Sequence, residues 1–224
     1  MYPLFLSVFL LDYLSVDLGL IDRKLTWLPE FISILVILLL FTRLADRRKK
    51  YIQAKYVVLT VVLLVHYFIG TVLNTVHEGV LISGLRTYLK YLPFFLLPAF
   101  YSFSHEQIRR YLYFLAGLAL LQVPLAVYQK FVLFKGVPSG DPISGTVQIS
   151  SMLSIVMVSA IAIVVGMYVK ERISKAMMIL LVIFLVIPTT LNETKSSVIF
   201  IPLAFLNHIL LAEGSGNKYK KLLM

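Results

Sequence analysis

The 224-residue chain contains no cysteine, which excludes disulfides, thiol catalysis, iron–sulfur clusters and thiolate zinc sites. Charge is also scarce: Asp, Glu, Lys and Arg make up 14% of the residues, against 59% hydrophobic. Soluble domains are nearer a quarter charged and about half apolar. That deficit, with a mean hydropathy of +0.89, excludes an ordinary soluble globular domain and points to a chain embedded in a membrane. Acids are the rarer sign, 11 against 21 Lys plus Arg. In a soluble protein a net charge of +10 would suggest nucleic acid as partner. Here the surplus cations suit cytoplasmic loops that face anionic headgroups, so membrane lipids are the expected partner and nucleic acid is not. The four histidines lack a His-x-x-x-His or similar spacing, so neither a metal nor a cofactor is expected. There is no internal repeat and no low-complexity tract.

What the chain does have is a series of long uncharged runs. About 20 mostly apolar residues are needed to cross the bilayer core. Residues 56–73, 111–129, 147–169, 176–192 and 196–212 contain no Asp, Glu, Lys or Arg and are bounded by charged or turn-forming residues. Residues 28–44 add a sixth run, entered by Trp27 and Pro29 and left at Arg43. Residues 81–103 form a seventh if Arg86 and Lys90 lie near one end and snorkel to the headgroups. Residues 2–20 contain Asp12 and Asp17 and form either an eighth span, with polar residues facing the bundle, or an interfacial helix. The start lacks the basic region and small-residue cleavage site of a signal peptide. The expected fold is therefore all-α, a polytopic helical membrane protein of seven to eight transmembrane helices forming one domain over residues 1–224.

Loop charge supports an orientation with both termini cytoplasmic. The inner loops then hold Arg43 to Lys55, Arg109, Arg110, Lys170 to Lys175 and the basic C-terminal tail, as the positive-inside rule requires. Arg23, Lys24, Arg86, Lys90, Lys130, Lys135 and Lys195 remain outside. The Arg47–Lys50 cluster reads as a topogenic, lipid-facing patch.

Three outward segments carry the candidate chemistry. In residues 74–90, Arg86 and Lys90 are four apart, so both lie on one helical face. An Arg fork beside a Lys point charge suits a diphosphate; plain snorkelling accounts for the pair equally well. His77 and Glu78 lie in the same segment, and His77 is a candidate for proton transfer. In residues 135–148, glycines and prolines make a loop whose Ser144-Gly145-Thr146 leads into an uncharged helix. Free amides there, with the Thr146 hydroxyl, can receive an anion; the same residues also mark any turn. Asp141 is its one carboxylate. In residues 189–197, Glu193 and Lys195 sit in a hydroxyl-rich turn between two apolar runs, where helix capping and a functional site are equally open. His66 is expected to hydrogen-bond within the bundle.

Taken together, Gly84-Leu85-Arg86 before a Pro-containing apolar run, Gly140-Asp141 with Gly145-Thr146 before another, and Asn192-Glu193-Thr194-Lys195-Ser196 before a third resemble the O-antigen ligase and O-antigen polymerase superfamily of bacterial membrane glycosyltransferases. The resemblance implies transfer or polymerisation of a polyprenyl-diphosphate-linked glycan onto a glycan or lipid acceptor. The reaction would take place at the outer face of the bacterial cytoplasmic membrane, without cofactor or metal. Arg86 and Lys195 would hold the diphosphate, with Lys90 and Thr146 supporting them. Glu193, Asp141 or His77 would orient or deprotonate the acceptor. Family members run to more spans and a large outer loop, so the chain reads as an N-terminal part or a truncated member, and catalysis by this chain alone is not implied. Two readings of other classes stay open, a transporter or flippase module and a non-catalytic membrane scaffold. Against the transporter, the sequence shows no repeat and its charges lie near the ends of the runs.

Overall fold

A computed structural model describes residues 2–45, 54–140 and 142–211. It is all-helical, with no strand among the described residues. Among the described residues, eight α-helices run in order: α1 Tyr2–Asp12, α2 Leu28–Ala45, α3 Ala54–Leu73, α4 Glu78–Phe100, α5 His105–Tyr128, α6 Ser150–Val169, α7 Lys175–Leu191 and α8 Lys195–Leu211. A π-helical turn, Tyr13–Asp17, continues α1, a 3-10 turn, Arg23–Trp27, leads into α2, and a second π-helical turn, Gln129–Leu133, extends α5. Among the described residues, two helices are long and apolar enough to cross a membrane: His105–Leu133, 29 residues, and Ser150–Val169, 20 residues. At 1.5 Å per residue these measure about 43 and about 30 Å.

The helices follow the uncharged runs because an apolar chain away from water must bond its own backbone groups, and a helix bonds them all within one segment. Polar signals fix the ends. Ser174 accepts a hydrogen bond from the Met177 N–H at the start of α7, and Asp22 accepts one from the Lys24 N–H before the 3-10 turn. One departure from the hydropathy reading is in α4. His77 caps it through Nδ1, which accepts from the Gly79 N–H, so the helix begins at Glu78 rather than at residue 81. Arg86 and Lys90 therefore lie well inside a 23-residue helix instead of near its end, and snorkelling does not describe them.

By its internal contacts the chain divides into two compact units, Met1–Ile108 and Arg109–Met224. In the first, α2 and α4 pack through Val36 and Leu96, flanked by Ile32, Ile37, Leu92 and Leu97. Phe5 of α1 meets Phe94 of α4 with ring centroids 4.8 Å apart. Helix α3 lies beside α4, and Tyr67 donates from its hydroxyl to the Leu81 carbonyl at 2.6 Å. Between the two helices is an open groove of about 570 Å³ lined by residues that include His66, Tyr67, Gly70 and Gly84. His66 is exposed on that open side, and the bond expected within the bundle is not among those made by the described residues.

In the second unit α6 is central and packs against both α7 and α8. It buries Leu153, Met157, Ala160, Ile161, Val164 and Val165, apolar over much of its circumference as a core helix requires. Helix α5 buries Ala116, Ala119, Gln122, Val123 and Ala126, and Gln129 follows in the π turn. These spacings of three and four place all six on one stripe. Two of the six are amides, and they determine the path of the next loop.

Candidate functional site

Arg86 and Lys90 share a face of α4, and each meets an acid from another helix. Arg86 Nε donates to Glu30 Oε1, and its Nη2 donates to the Thr26 carbonyl and to Thr26 Oγ1, both at 3.1 Å. The guanidinium carbon sits 4.5 Å from the centroid of Trp27, a cation–π contact. Lys90 Nζ is hydrogen-bonded to Asp12 Oδ2. The side chain of Lys90 is 13% exposed and that of Asp12 18%, so this is a largely buried ion pair. A charge removed from water needs a partner in reach, and α1 and α2 supply one for each cation of α4.

The two cations differ in what they leave open. Lys90 is enclosed with its acid. Arg86 keeps a third of its side chain exposed, and its Nη1 has no partner among the described residues. Glu30, by contrast, is a buried carboxylate: its side chain is 6% exposed, and Oε2 makes no hydrogen bond among the described residues. Sequence reasoning missed Glu30 and Thr26 as partners of Arg86. Nothing local in the sequence reveals a contact between Glu30 and a residue 56 positions away.

In the second unit, segments 135–148 and 189–197 come together. A Cβ at Gly140 would lie 2.6 Å from the Leu191 carbonyl oxygen and 2.7 Å from the Asn192 carbonyl carbon, so only glycine permits this approach. Asn192 is buried and fastens the turn. Its Nδ2 donates to the Ser150 carbonyl and to Ser154 Oγ, each at 2.9 Å, and its Oδ1 accepts from the Thr194 N–H.

The loop after α5 is held from within by Gln122 and Gln129, seven residues apart on the buried stripe. Gln129 Oε1 accepts from the Ser144 and Gly145 N–H groups at 3.2 and 2.8 Å, and its Nε2 donates to the Gly145 carbonyl at 3.0 Å. Gln122 Oε1 accepts from the Thr146 N–H at 2.8 Å and from the Thr146 hydroxyl at 3.1 Å. Thr146 is buried, and α6 starts only at Ser150. The free amides expected at Ser144-Gly145-Thr146 are therefore occupied, and the Thr146 hydroxyl with them. The two glutamines are uncharged, so a search for charges at membrane depth passes over them; their seven-residue spacing within an apolar run was the available signal.

The remaining candidates are placed as follows. Glu193 has a positive φ of 55°, is 57% exposed at its side chain and lies 3.9 Å from Lys130 Nζ through Oε1, a surface pair worth about 0–1 kcal/mol. Lys195 begins α8 and is exposed. His77 uses Nδ1 to cap α4. Asp141 and the Arg47–Lys50 patch lie outside the described residues. Arg86, Lys90 and His77 belong to the first unit, and Thr146, Glu193 and Lys195 to the second. No three His, Asp or Glu side chains among the described residues group to hold a metal. The chain matches no known family model, no curated protein and no solved structure.

Two predictions follow from these contacts. Replacing Gln122 or Gln129 with Leu strands loop amides without partners, at about 1–3 kcal/mol each. We expect a lowered unfolding midpoint in detergent and faster proteolytic cleavage within residues 135–148; unchanged cleavage would show that the glutamines do not hold the loop. Lys90→Met and Asp12→Asn each leave one buried charge unpaired, costing about 3 kcal/mol. The double variant should recover most of that loss in a double-mutant cycle, whereas additive losses would mean the pair is not coupled.

Proposed function

We propose that the chain is a multi-pass protein of the bacterial cytoplasmic membrane, with both termini cytoplasmic. In this reading it binds a polyprenyl-diphosphate-linked glycan at the outer face, for transfer or polymerisation onto a glycan or lipid acceptor. The observation that carries the reading is the arrangement around Arg86. A guanidinium fixed on three sides by Glu30, Thr26 and Trp27, with no partner at Nη1 among the described residues and a third of the side chain exposed, is an oriented donor for a phosphoryl oxygen. Fixing it in advance removes the entropy that a long side chain otherwise loses on binding, and Arg is the cation whose planar fork suits phosphate.

Surface character supports the membrane part. Besides the two long apolar helices, α3 exposes Val58, Leu59, Val62, Val65, Phe68, Ile69 and Val72, and α2 exposes Phe31, Leu35, Leu38 and Leu39. Lipid covers such faces at no cost, whereas water does not. In this reading all eight helices cross or enter the bilayer, and the Asp12–Lys90 and Glu30–Arg86 pairs are what allow α4 to do so.

Transfer of a glycan from a lipid diphosphate breaks the bond between the anomeric carbon and a phosphate oxygen, and negative charge grows on the departing diphosphate. A preset cation at that position stabilises the transition state more than the ground state. Lys90, enclosed with Asp12, acts on α4 rather than on the ligand.

The test is binding of a short-chain prenyl diphosphate to the purified chain in detergent. Arg86→Lys keeps the charge but loses the fork, and we expect the dissociation constant to rise about tenfold or more, in line with the loss of a charge-assisted hydrogen bond. Binding that is absent in the wild-type chain, or indifferent to Arg86→Lys, would refute the proposal.

A further inference from the structure

The groove between α3 and α4 shares no lining residue with the contacts that hold Arg86. Its volume, about 570 Å³, is in the range of ligand sites. Leu63, Val76 and Val80 make its walls apolar, and no Asp, Glu, Lys or Arg among the described residues lines it. Two glycines shape the space. A Cβ at Gly84 would lie 2.8 Å from Tyr67 Oη, so glycine there lets the hydroxyl reach the Leu81 carbonyl. A Cβ at Gly70 would meet nothing within 4 Å, which leaves that stretch of the groove open. The polar groups along it differ in what they can offer. Tyr67 donates to the Leu81 carbonyl and Thr71 to the Tyr67 carbonyl, so neither hydroxyl has a proton left to give an occupant. His66 is exposed on the groove, and no bond to its imidazole is among those made by the described residues. It is the donor that the groove has to spare.

Helix α3 ends at Leu73, and His66, seven residues earlier, lies about 10 Å from that end. On the reading that α3 crosses the bilayer, the imidazole faces hydrocarbon, where a polar group without a partner is costly. Headgroups lie outside the hydrocarbon core and do not supply that partner. Resting on the membrane reading, and not on the role of Arg86, we propose that the α3–α4 groove binds an uncharged single-chain lipid that carries an oxygen acceptor, such as a long-chain alcohol. The ligand oxygen accepts the His66 N–H, and the chain lies along Leu63, Gly70 and Val80. A hydrocarbon chain without oxygen leaves the imidazole unsatisfied. A phosphorylated lipid brings negative charge to a groove with no Lys or Arg among its described lining residues, so it is disfavoured. Size argues against a helix of another chain. Over the stretch from Leu63 to Thr71 a helix about 10 Å across occupies about 900 Å³, more than the groove holds, whereas a single hydrocarbon chain fits.

The experiment uses the full chain in lipid nanodiscs and a farnesol analogue bearing a photoreactive diazirine, with labelling read by mass spectrometry over residues 63–84. Farnesol and the matching hydrocarbon, farnesene, compete for that labelling, each at a known mole fraction in the bilayer. In the wild-type chain we expect farnesol to displace the label at about 2- to 12-fold lower mole fraction than farnesene, the range of an uncharged hydrogen bond. His66→Leu should abolish the difference, and His66→Gln, which keeps an N–H donor, should retain it. Gly70→Leu, whose side chain has room, fills the groove and should cut labelling of residues 63–84 by the farnesol analogue. Equal competition by farnesol and farnesene in the wild type overturns the proposal. So does a difference that survives His66→Leu, or labelling of Gly70→Leu equal to wild type. The chain has no cysteine of its own, so Gly70→Cys tests the remaining occupant. A disulfide joining two copies through residue 70 would show that a second chain covers the groove, and would also overturn the proposal. A diazirine-bearing hydrocarbon serves as control for the membrane itself. If it leaves the exposed face of α3 at Val65, Phe68 and Val72 unlabelled, the membrane reading falls, and the proposal with it.

Discussion

Polar groups withdrawn from water must find partners within the protein, and that requirement shapes both units. In the first, α4 carries two cations deep in a helix, and α1 and α2 each bring one acid to them. Without Asp12 and Glu30 the segment would hold two uncompensated charges, each at a cost of several kcal/mol. In the second unit the groups are neutral. A loop of non-helical backbone folds among helices and is satisfied by Gln122 and Gln129 from α5, while Asn192 ties the α7–α8 turn to α6. The physics is the same in both cases, with charge pairs in one and amide bonds in the other.

This economy explains why the most exposed charged groups are not the most specific. Glu193 and Lys130 meet at the surface, where water competes for both and the pair is weak. Arg86 is only partly exposed, yet it is fixed by a carboxylate, a carbonyl, a hydroxyl and an indole. Such a group offers direction as well as charge, and direction is what recognition of a phosphoryl oxygen uses. The contrast between Arg86 and Lys90, four residues apart on one face, shows how two equivalent positions in a sequence become different in a structure: one cation is enclosed with its acid, the other is held with an edge free.

The helices were legible in the sequence because each overlaps one of the apolar runs; most ends fall within about three residues of those runs, but α5 begins six residues before residue 111 and α1 gives way to the π turn after Asp12. The α4 start moved from residue 81 to Glu78 because the capping contact of His77 is local but apolar runs do not report it. That Arg86 and Lys90 share a face was also legible, from a spacing of four alone. Their partners were not. Glu30 and Asp12 reach α4 across 56 and 78 residues, and hydropathy contains no information about which distant acid meets which cation. Asp12 showed itself only as a polar residue expected to face inward. Gln122 and Gln129 went unmarked because they carry no charge, although an amide in an apolar run needs a partner for the same reason a charge does. The anion site expected at Ser144-Gly145-Thr146 failed on that omission, since the loop donors already had acceptors.

The account turns on α4 crossing the bilayer with its ion pairs inside. The absence of cysteine makes the direct measurement simple: single cysteines at Asn74, before α4, and at Ser102, after it, are reacted with a membrane-impermeant maleimide in intact right-side-out vesicles and again after lysis. The account predicts that Asn74→Cys labels in intact vesicles and Ser102→Cys only after lysis. Labelling of both from the same side would contradict it, because α4 would then lie along the membrane or outside it and its paired charges would serve no crossing.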